Sequence, residues 1–260
     1  LARLYRDVVK QPGQDERIAP EIKDPNSGNW PYFKGCVGAL DGTYIPILPF
    51  KVKEPGQWRS RKGGVAQNVM AACDFDMNFT FVQPGYPGSG NDGGVLRQAI
   101  ANGFTAPEGR YYLADGGYTK KNRMLLVPYQ KTRYQQQPQT RDELFNLRHA
   151  QLRNVVERLF GIVKKRWGIL AQGPNQSFTI RQKARFVIAL AAVHNFANQH
   201  GQRAADEDVL DDDGEDASAD GVNENEQGSV GGRVDWGPRT DNGMVRYRDQ
   251  IAQQMWEDCL

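Results

Sequence analysis

Three acidic residues, each at a different kind of chain position, carry the side chains best suited to chemistry. Asp41 lies in the run Gly38-Ala-Leu-Asp-Gly-Thr43, Asp115 follows Tyr111-Tyr-Leu-Ala114, and Glu157 lies within a long helical pattern. Two carboxylates at strand ends and one on a helix can converge on hard divalent cations such as Mg²⁺, which prefer oxygen ligands. Two such ions can hold the attacking and leaving oxygens of a phosphodiester. The three residues therefore predict a metal-dependent strand-transfer enzyme or nuclease.

Each of these acidic residues also has a simpler structural interpretation. Asp41 and Asp115 both precede glycine, so either could form an ordinary turn. Glu157 lies four residues after Arg153, and an exposed ion pair at that spacing contributes only about 0.2–0.5 kcal/mol. Asp92, in a glycine-rich loop, is a rival for the second carboxylate. Its simplest role is to cap the following helix, worth roughly 1 kcal/mol, although Asn91 could serve as that cap instead. We therefore assign Asp92 a supporting role.

The elements that must position these residues form a mixed pattern of strands and helices. Strand patterns cover 34–48, 67–74, 78–84 and 110–114, and helix patterns cover 93–102, 142–170 and 180–201. This order favours an α/β fold with a ribonuclease-H-like mixed sheet flanked by helices, and with a basic insertion (119–141) before the helix that bears Glu157. Asp41 then lies on the first strand and Asp115 at the end of the fourth.

The charge of the chain is divided unevenly along its length. Residues 1–201 carry 28 Lys and Arg against 15 Asp and Glu, a balance of +13, whereas residues 202–260 carry 5 against 16, a balance of −11. A basic body suits a polyanion, because basic side chains release condensed counterions from nucleic acid. The alternative is a soluble basic surface without such a partner.

Composition and pattern together divide the chain into four parts. The predicted parts are an N-terminal remnant (1–33), the ribonuclease-H-like domain (34–201), an acidic disordered tail (202–247) and a short amphipathic helix (248–260). No window approaches the roughly 18 consecutive apolar residues of a membrane span, so no membrane is expected. The chain begins with Leu1 and has no charged-then-apolar leader, which predicts no signal peptide and indicates a fragment or a trimmed chain.

The number and spacing of the three cysteines indicate neither a disulfide-rich fold nor a zinc site with cysteine ligands. Cys36, Cys73 and Cys259 are too few and too scattered for a disulfide framework, and none has CxxC spacing. This usage favours an intracellular, reducing compartment.

A series of short motifs, taken in order, resembles the Harbinger-type DDE transposases and the nucleases derived from them. The motifs are Gly38-Ala-Leu-Asp-Gly-Thr43, Arg61-Lys62 with Gln67-Asn-Val-Met70, Pro87-Gly-Ser-Gly-Asn-Asp92, Leu113-Ala-Asp-Gly-Gly-Tyr118, Asn154-Val-Val-Glu-Arg-Leu-Phe-Gly161 with Lys165-Arg-Trp167, Ala192-Val-His-Asn195, and Arg248-Asp-Gln-Ile-Ala-Gln-Gln-Met-Trp256. The resemblance covers roughly residues 30–201 and the last of these motifs.

The resemblance implies that Asp41, Asp115 and Glu157 are the catalytic and metal-binding carboxylates. They would use two Mg²⁺ or Mn²⁺ ions to cut and rejoin DNA. The resemblance also implies a nuclear location and a separate Myb-like DNA-binding partner, and it leaves the formation of an oligomer open. Full-length relatives carry an N-terminal helix-turn-helix segment, which we expect this chain to have lost.

Basic residues near the predicted carboxylates are candidate contacts to DNA. The candidates are Arg61, Lys62, Lys120, Lys121, Arg123, Arg153, Lys164 and Lys165. Cations interleaved with Tyr129 and Tyr134 suit a groove that follows the nucleic-acid backbone and stacks bases. The alternative is that these cations only solvate a loop and a helix surface. His194, on an otherwise apolar helix, is interpreted as a buried core histidine.

Two other functions compete with a nuclease. Asp-Gly-Thr also ends the Asp-x-Asp-Gly-Thr motif of haloacid-dehalogenase-like phosphatases, but Ala39 stands where their nucleophilic aspartate would be. A domesticated, non-catalytic DNA- or protein-binding descendant of a transposase stays open, since the presence of the carboxylates does not prove activity.

Overall fold

The computed structural model describes residues 2–47, 55–61, 63–118, 122–132, 136–174, 178–201 and 243–259. The strands are β1 (Cys36–Pro46), β2 (Ala66–Cys73), β3 (Phe79–Pro87), β4 (Tyr111–Leu113) and β5 (Leu125–Leu126). The helices are α1 (Ala2–Val8), α2 (Pro20–Lys23), α3 (Asp92–Ala101), α4 (Arg141–Arg166), α5 (Gly168–Gln172), α6 (Ile180–Gln199) and α7 (Gly243–Glu257). Two short 3₁₀ helices cover Pro25–Ser27 and Pro55–Trp58.

The five strands form one mixed sheet in the order β3-β2-β1-β4-β5. β1 pairs antiparallel with β2, and β2 with β3; residues 47–65 separate β1 from β2, whereas only 74–78 separate β2 from β3. β4 and β5 run parallel to β1. β3 and β4 point the same way, so the chain crosses over between them, and α3 supplies that connection. The prediction of a ribonuclease-H-like mixed sheet flanked by helices is confirmed.

Side chains alternate between two apolar cores on the two faces of the sheet. Along β1, Ala39 packs into the core formed with α1, α4, α6 and α7, whereas Leu40 packs into the core formed with α3. On β4, Tyr111 packs into the first of these cores and Tyr112 into the second. Because the side-chain period of a strand is two residues, this alternation also decides which face each polar residue of β1 meets.

The long helix that carries Glu157 ends earlier than predicted. The side chain of Thr140 accepts a hydrogen bond from the Glu143 N–H and caps the start of α4. At Trp167 the backbone is extended, with φ −127° and ψ 95°, and α5 begins at the next residue. The predicted single helix over 142–170 was therefore wrong at its C-terminal end. The Trp167 ring packs edge-on against His194, so a tertiary contact accompanies the break.

The segment predicted as a basic loop before α4 contains the fifth strand. Leu125 and Leu126 are fully buried, and β5 pairs with β4 through hydrogen bonds from Tyr112 N to Met124 O (2.8 Å) and from Ala114 N to Leu126 O (3.1 Å). A ladder of two residues is too short to produce a recognisable sequence period. The basic insertion predicted over 119–141 therefore includes a strand that the sequence did not indicate.

The C-terminal helix belongs to the main core and is longer than predicted. α7 begins at Gly243 instead of Arg248, so the predicted disordered tail was wrong for 243–247, while 202–242 lie outside the described residues. Its buried face packs on α4. The Arg248 guanidinium lies 3.8 Å from the centre of the Tyr129 ring, and the Tyr129 hydroxyl donates to Asp249 Oδ1 at 2.7 Å. α7 thereby supports the loop that follows β5.

Among the described residues, no helix is both long enough and apolar enough to cross a lipid bilayer. Cys36 and Cys73 are buried free thiols, and Cys259 is an exposed one. The expected absence of a disulfide between these three residues therefore holds for the structure.

Candidate active site

Asp41 lies inside β1, not at a strand end as predicted. Alternation along the strand turns Asp41 toward α4 and its neighbour Gly42 toward α3. The carboxylate of Asp41 accepts two hydrogen bonds: Oδ1 from the Gly42 N–H at 2.7 Å, and Oδ2 from Arg153 Nη1 at 3.0 Å. Its side chain is 24% exposed, so the carboxylate is largely withdrawn from solvent.

Asp115 lies beside Asp41 because of the parallel register of β1 and β4. Ala39 pairs with Leu113, and each aspartate follows its paired residue by two positions. The Gly116 N–H donates to Asp115 Oδ1 at 2.6 Å, and Gln130 Nε2 donates to the Gly116 carbonyl at 3.0 Å, which holds the loop after β4. The Asp115 side chain itself is exposed.

Glu157 reaches the same place from α4 and shares a partner with Asp41. Arg153 Nη2 donates to Glu157 Oε1, while Nη1 of the same guanidinium bonds Asp41. The ion pair between Arg153 and Glu157 that the four-residue spacing allowed is thus present. It is more than a surface pair, because Arg153 is only 18% exposed and links α4 to β1.

A polar stripe on the otherwise buried side of α4 orients the helix. The stripe consists of Asn146, His149, Arg153, Glu157 and Lys164, spaced by three, four, four and seven residues. These intervals are those of one helix face. Asn146 and His149 were missed as site residues by the sequence analysis, and this spacing is the signal that could have found them.

Four members of the α4 stripe, Asn146, His149, Arg153 and Lys164, contact a strand or the loop beyond it. Asn146 Oδ1 accepts from the Tyr129 N–H at 2.8 Å, and His149 Nε2 donates to the Leu126 carbonyl at 2.9 Å. Lys164 Nζ donates to Thr43 Oγ1, two residues beyond Asp41, at 2.7 Å. Contacts at both ends of α4 therefore fix its rotation, so that Glu157 faces the aspartates.

Asp92 approaches the site from the other face of the sheet. The N-cap of α3 is Asn91, whose Oδ1 accepts from the Gly94 N–H at 2.7 Å, so Asp92 is not needed as a cap. A Cβ placed on Gly117 would lie 2.9 Å from Asp92 Oδ2 and 3.6 Å from Asp115 Oδ2. Asp92 and Asp115 therefore border one space, and Asp41, Asp92, Asp115 and Glu157 are called the acidic cluster below.

Two of these carboxylates, Asp41 and Asp92, have raised pKa values, mainly because they are buried. Burial raises the pKa of Asp41 to about 6; the Arg153 guanidinium opposes the rise, and the charges of Asp115 and Glu157 add to it. Burial also raises the pKa of Asp92, and Arg61 opposes that rise. A raised carboxylate pKa is the expected result of like charges that share a partly dry site.

The hydroxyl of Tyr118 lies beside Gly42, close to the acidic cluster. It is buried and finds no hydrogen-bond partner among the described residues. A Cβ on Gly42 would lie 3.6 Å from it and 3.7 Å from Asp92 Oδ1. Burial, and then the charges of Asp41 and Asp92, raise the pKa of Tyr118 well above its usual range, so it stays a hydrogen-bond donor. The motif Asp-Gly-Gly-Tyr118 was its only sequence signal.

Comparison with known proteins identifies the family of this chain. A family model described as "DDE superfamily endonuclease" matches residues 40–195, more than half of the chain, and spans all four residues of the acidic cluster. The chain belongs to the DDE superfamily endonucleases. The Harbinger-type resemblance of its motifs is thereby confirmed at the level of the family, and a nuclease- or transposase-like domain follows from it.

One curated relative of this DDE endonuclease domain is a plant protein. The Arabidopsis thaliana protein named "Protein ALP1-like" is 28% identical over 154 residues, which are 52% of this chain and 36% of the relative. The chain thus spans about a third of the length of that protein. No solved structure matches the chain at a significant level.

The acidic cluster of this DDE endonuclease domain suits a divalent metal in its donor chemistry. Asp41, Asp115 and Glu157 offer only hard oxygen ligands, and the glycines 42 and 117 leave space that a side chain would fill. Among the described residues, however, no three acidic, His or Cys side chains already converge as ligands of one ion. The guanidinium of Arg153 lies between Asp41 and Glu157 and donates a hydrogen bond to each.

The predicted DNA contacts have different surroundings in the structure. Arg61, Arg123 and Lys165 are exposed, and Arg61 lies within electrostatic reach of Asp92. Arg153 and Lys164 instead contact the acidic cluster and Thr43, as described above. Lys62, Lys120 and Lys121 lie outside the described residues, as does Tyr134. A DNA-binding role stays a prediction for all of these residues, as does catalysis for the carboxylates.

The interpretation of His194 as a core histidine is confirmed. Its side chain is 1% exposed, and Nε2 lies 2.8 Å from the Met77 carbonyl oxygen. Burial lowers its pKa. His194 lies on α6 and ties that helix to the turn between β2 and β3, so it serves the fold of this DDE endonuclease domain.

The pH dependence of folding is expected to reveal the buried state of His149. Burial lowers its pKa from 6.5 to about 4, so the unfolded chain binds this proton more readily than the folded chain. The stability it contributes is complete above pH 6.5 and is lost as the pH falls toward 4, by at most about 3 kcal/mol. His149→Gln keeps a donor for the Leu126 carbonyl but does not titrate. Urea unfolding at pH 7, 5.5 and 4 should show a smaller loss for this variant.

The exposed His200, at the end of α6, supplies the matched control for that measurement. His200→Gln should follow the pH dependence of the wild-type protein, because its side chain is accessible to solvent in both states. If the wild-type protein and His149→Gln lose equal stability between pH 7 and pH 4, His149 is not the group that causes the loss at low pH.

Proposed function

We propose that the chain is the catalytic domain of a divalent-metal-dependent DNA endonuclease or transposase, which cuts and transfers DNA phosphodiesters. The observation that supports this most directly is that Asp41, Asp115 and Glu157 all lie within electrostatic reach of one guanidinium, that of Arg153. They come from β1, the loop after β4, and α4, and they are linked electrostatically through Arg153. Chain segments this far apart bring three carboxylates together at a cost in repulsion, which is typical of a functional site.

In this proposal Asp41, Asp115 and Glu157 hold Mg²⁺ or Mn²⁺, in two positions. The bound ions lower the pKa of a water molecule and stabilise negative charge on the phosphate. The glycines 42 and 117 allow a phosphate to approach, since neither carries a side chain. The buried hydroxyl of Tyr118 can donate to an oxygen in that space, and Asp92 supports the site from the α3 side.

The substrate class follows from charge as well as from the family. The balance of +13 over residues 1–201 favours a polyanion, and exposed Arg61, Arg123 and Lys165 are candidates to contact its phosphates. A nuclear location, a separate Myb-like DNA-binding partner and an oligomeric state belong to this proposal through the resemblance of the motifs alone.

A second candidate function is a non-catalytic DNA- or protein-binding derivative of a transposase. The observation that favours it is the engagement of Asp41 and Glu157 with Arg153, with no ready-made ligand set among the described residues. Such a protein would keep the fold and the basic surface and would bind DNA without cutting it.

The deciding experiment is nicking of supercoiled plasmid by the 260-residue chain in Mg²⁺ or Mn²⁺, with and without EDTA. The proposal predicts nicking that requires the metal. The double variant Asp41→Asn, Glu157→Gln, purified in the same way, reports any contaminating nuclease. Nicking that survives EDTA, or that the double variant retains, would contradict the proposal. DNA binding in a gel-shift assay without metal-dependent nicking would favour the second function.

A further inference from the structure

The hydrogen bonds of Arg153 join two members of the acidic cluster. Nη1 donates to Asp41 Oδ2 at 3.0 Å, and Nη2 donates to Glu157 Oε1. Burial acts to lower the pKa of Arg153, but Asp41, Glu157 and then Asp115 raise it above its usual value. The guanidinium thus senses all three carboxylates that the proposed function assigns to metal.

An exposed helical ion pair does not explain this arrangement. Such a pair holds two side chains of one helix in solvent and contributes little. Arg153 is largely buried, and its second bond crosses from α4 to β1. A planar guanidinium has donors in a fixed fork, so it can bridge two carboxylates that a single ammonium nitrogen would hold less well.

The oxygens that Arg153 occupies are those a metal ion would need. Asp41 Oδ1 already accepts from the Gly42 N–H, which leaves Oδ2 as its more available oxygen, and Arg153 is bonded to it. Without a cation, carboxylates brought this close repel one another. Arg153 supplies a positive charge to them, and a divalent ion would supply two.

We propose that Arg153 is a built-in counter-cation of the acidic cluster, which holds Asp41 and Glu157 together until a divalent cation displaces it from their oxygens. This inference rests on the proposed function, because it assumes that these carboxylates bind metal. Arg153 is in this sense a positioning residue: it keeps the metal-free site assembled and weakens metal binding by competition.

The test measures Mn²⁺ binding by calorimetry, and thermal unfolding with and without Mn²⁺, on the full chain in the absence of DNA. Arg153→Gln should unfold at a lower temperature than the wild-type protein without metal. It should bind Mn²⁺ at least about tenfold more tightly, since a charge-assisted hydrogen bond no longer competes. Mn²⁺ should consequently raise its unfolding temperature by more than it raises that of the wild-type protein.

Two further variants make the comparison specific. Arg141→Gln removes the same charge from the first turn of α4, where Arg141 pairs with Asp142, roughly 18 Å along the helix from Arg153. It should bind Mn²⁺ as the wild-type protein does. Arg153→Lys keeps the charge but loses the fork, and its affinity should lie between those of the wild-type protein and Arg153→Gln. It also serves as the test if Arg153→Gln does not fold.

The outcomes separate this inference from the function on which it rests. Equal or weaker Mn²⁺ binding by Arg153→Gln, together with metal-dependent nicking by the wild-type protein, would overturn the counter-cation and leave the nuclease intact. Equal affinity in Arg153→Lys and the wild-type protein would overturn it as well. If neither the wild-type protein nor Arg153→Gln binds Mn²⁺, both proposals fail together.

Discussion

Asp41→Asn, Asp115→Asn and Glu157→Gln are each expected to lower the rate of metal-dependent plasmid nicking at least about 100-fold. Metal ions contribute several kcal/mol of transition-state stabilisation, and each 1.4 kcal/mol corresponds to a factor of ten in rate. Each substitution removes one anionic oxygen ligand and preserves the shape of the side chain. The measurement is the initial rate of nicking at saturating Mg²⁺.

The control for these variants is Asp7→Asn, a matched change of an exposed aspartate on α1. It should nick as fast as the wild-type protein. DNA affinity, measured by fluorescence anisotropy, should not fall in the three carboxylate variants, because removing negative charge does not disfavour a polyanion. The nicking rate of Asp92→Asn should fall less, by about tenfold, as expected of a supporting group. Full nicking activity in all three carboxylate variants would exclude the mechanism.

Gly38→Ala is expected to destabilise the fold by about 3 kcal/mol or more, because a side chain here collides with a neighbouring strand. Gly38 has φ +149°, and a Cβ on it would lie 1.9 Å from the Cys73 carbonyl oxygen at the end of β2. The atoms in the way belong to the backbone, so they cannot turn aside as a flexible side chain can. Chemical denaturation of the two proteins at neutral pH measures the difference.

Gly42→Ala, four residues along the same strand, is the matched control for Gly38→Ala. Here the nearest atom to the added Cβ is a side-chain oxygen of Asn68 at 3.3 Å, and the backbone conformation is ordinary. The free energy of unfolding should change by less than about 1 kcal/mol. The added methyl group would lie beside Asp92 and Tyr118. If both variants lose similar stability, the close contact between Gly38 and the Cys73 carbonyl oxygen is not the reason that position 38 needs glycine.

Burial of Asp41 connects the stability of the fold with the binding of a cation at the acidic cluster. The pKa of Asp41, raised to about 6, shows that its charged form is disfavoured in the metal-free fold. A cation relieves that penalty, whether it is the guanidinium of Arg153 or a metal ion. Under the proposed function, binding of a divalent cation is therefore expected to stabilise the fold.

The sequence alone was sufficient for the order of β1 to β4 with α3, α4 and α6, and for the candidate carboxylates. Asp41, Asp115 and Glu157 were placed on a strand, after a strand and on a helix because apolar periodicity is local and survives without tertiary contacts. The ribonuclease-H-like class followed from that order. The motifs around these residues pointed to the family that the comparison then confirmed.

Other features could not be read from the sequence, since they depend on contacts between distant segments. β5 pairs over only two residues, too few for a period to show. The break at Trp167 lies beside a ring contact with His194, 27 residues further along the chain. α7 packs onto α4 after a long intervening segment, and its Arg248 reaches Tyr129 in the loop beyond β5.

By itself the sequence determined which residue types were available for chemistry, the fold class that presents them and the family to which they belong. Only the tertiary structure decided how those residues meet. Asp92 and Asp115 border one space, and Arg153 bonds both Asp41 and Glu157 instead of pointing to solvent. The physical reason is directional: neighbouring residues of a helix point about 100° apart, so partners are chosen by the rotation and packing of whole elements.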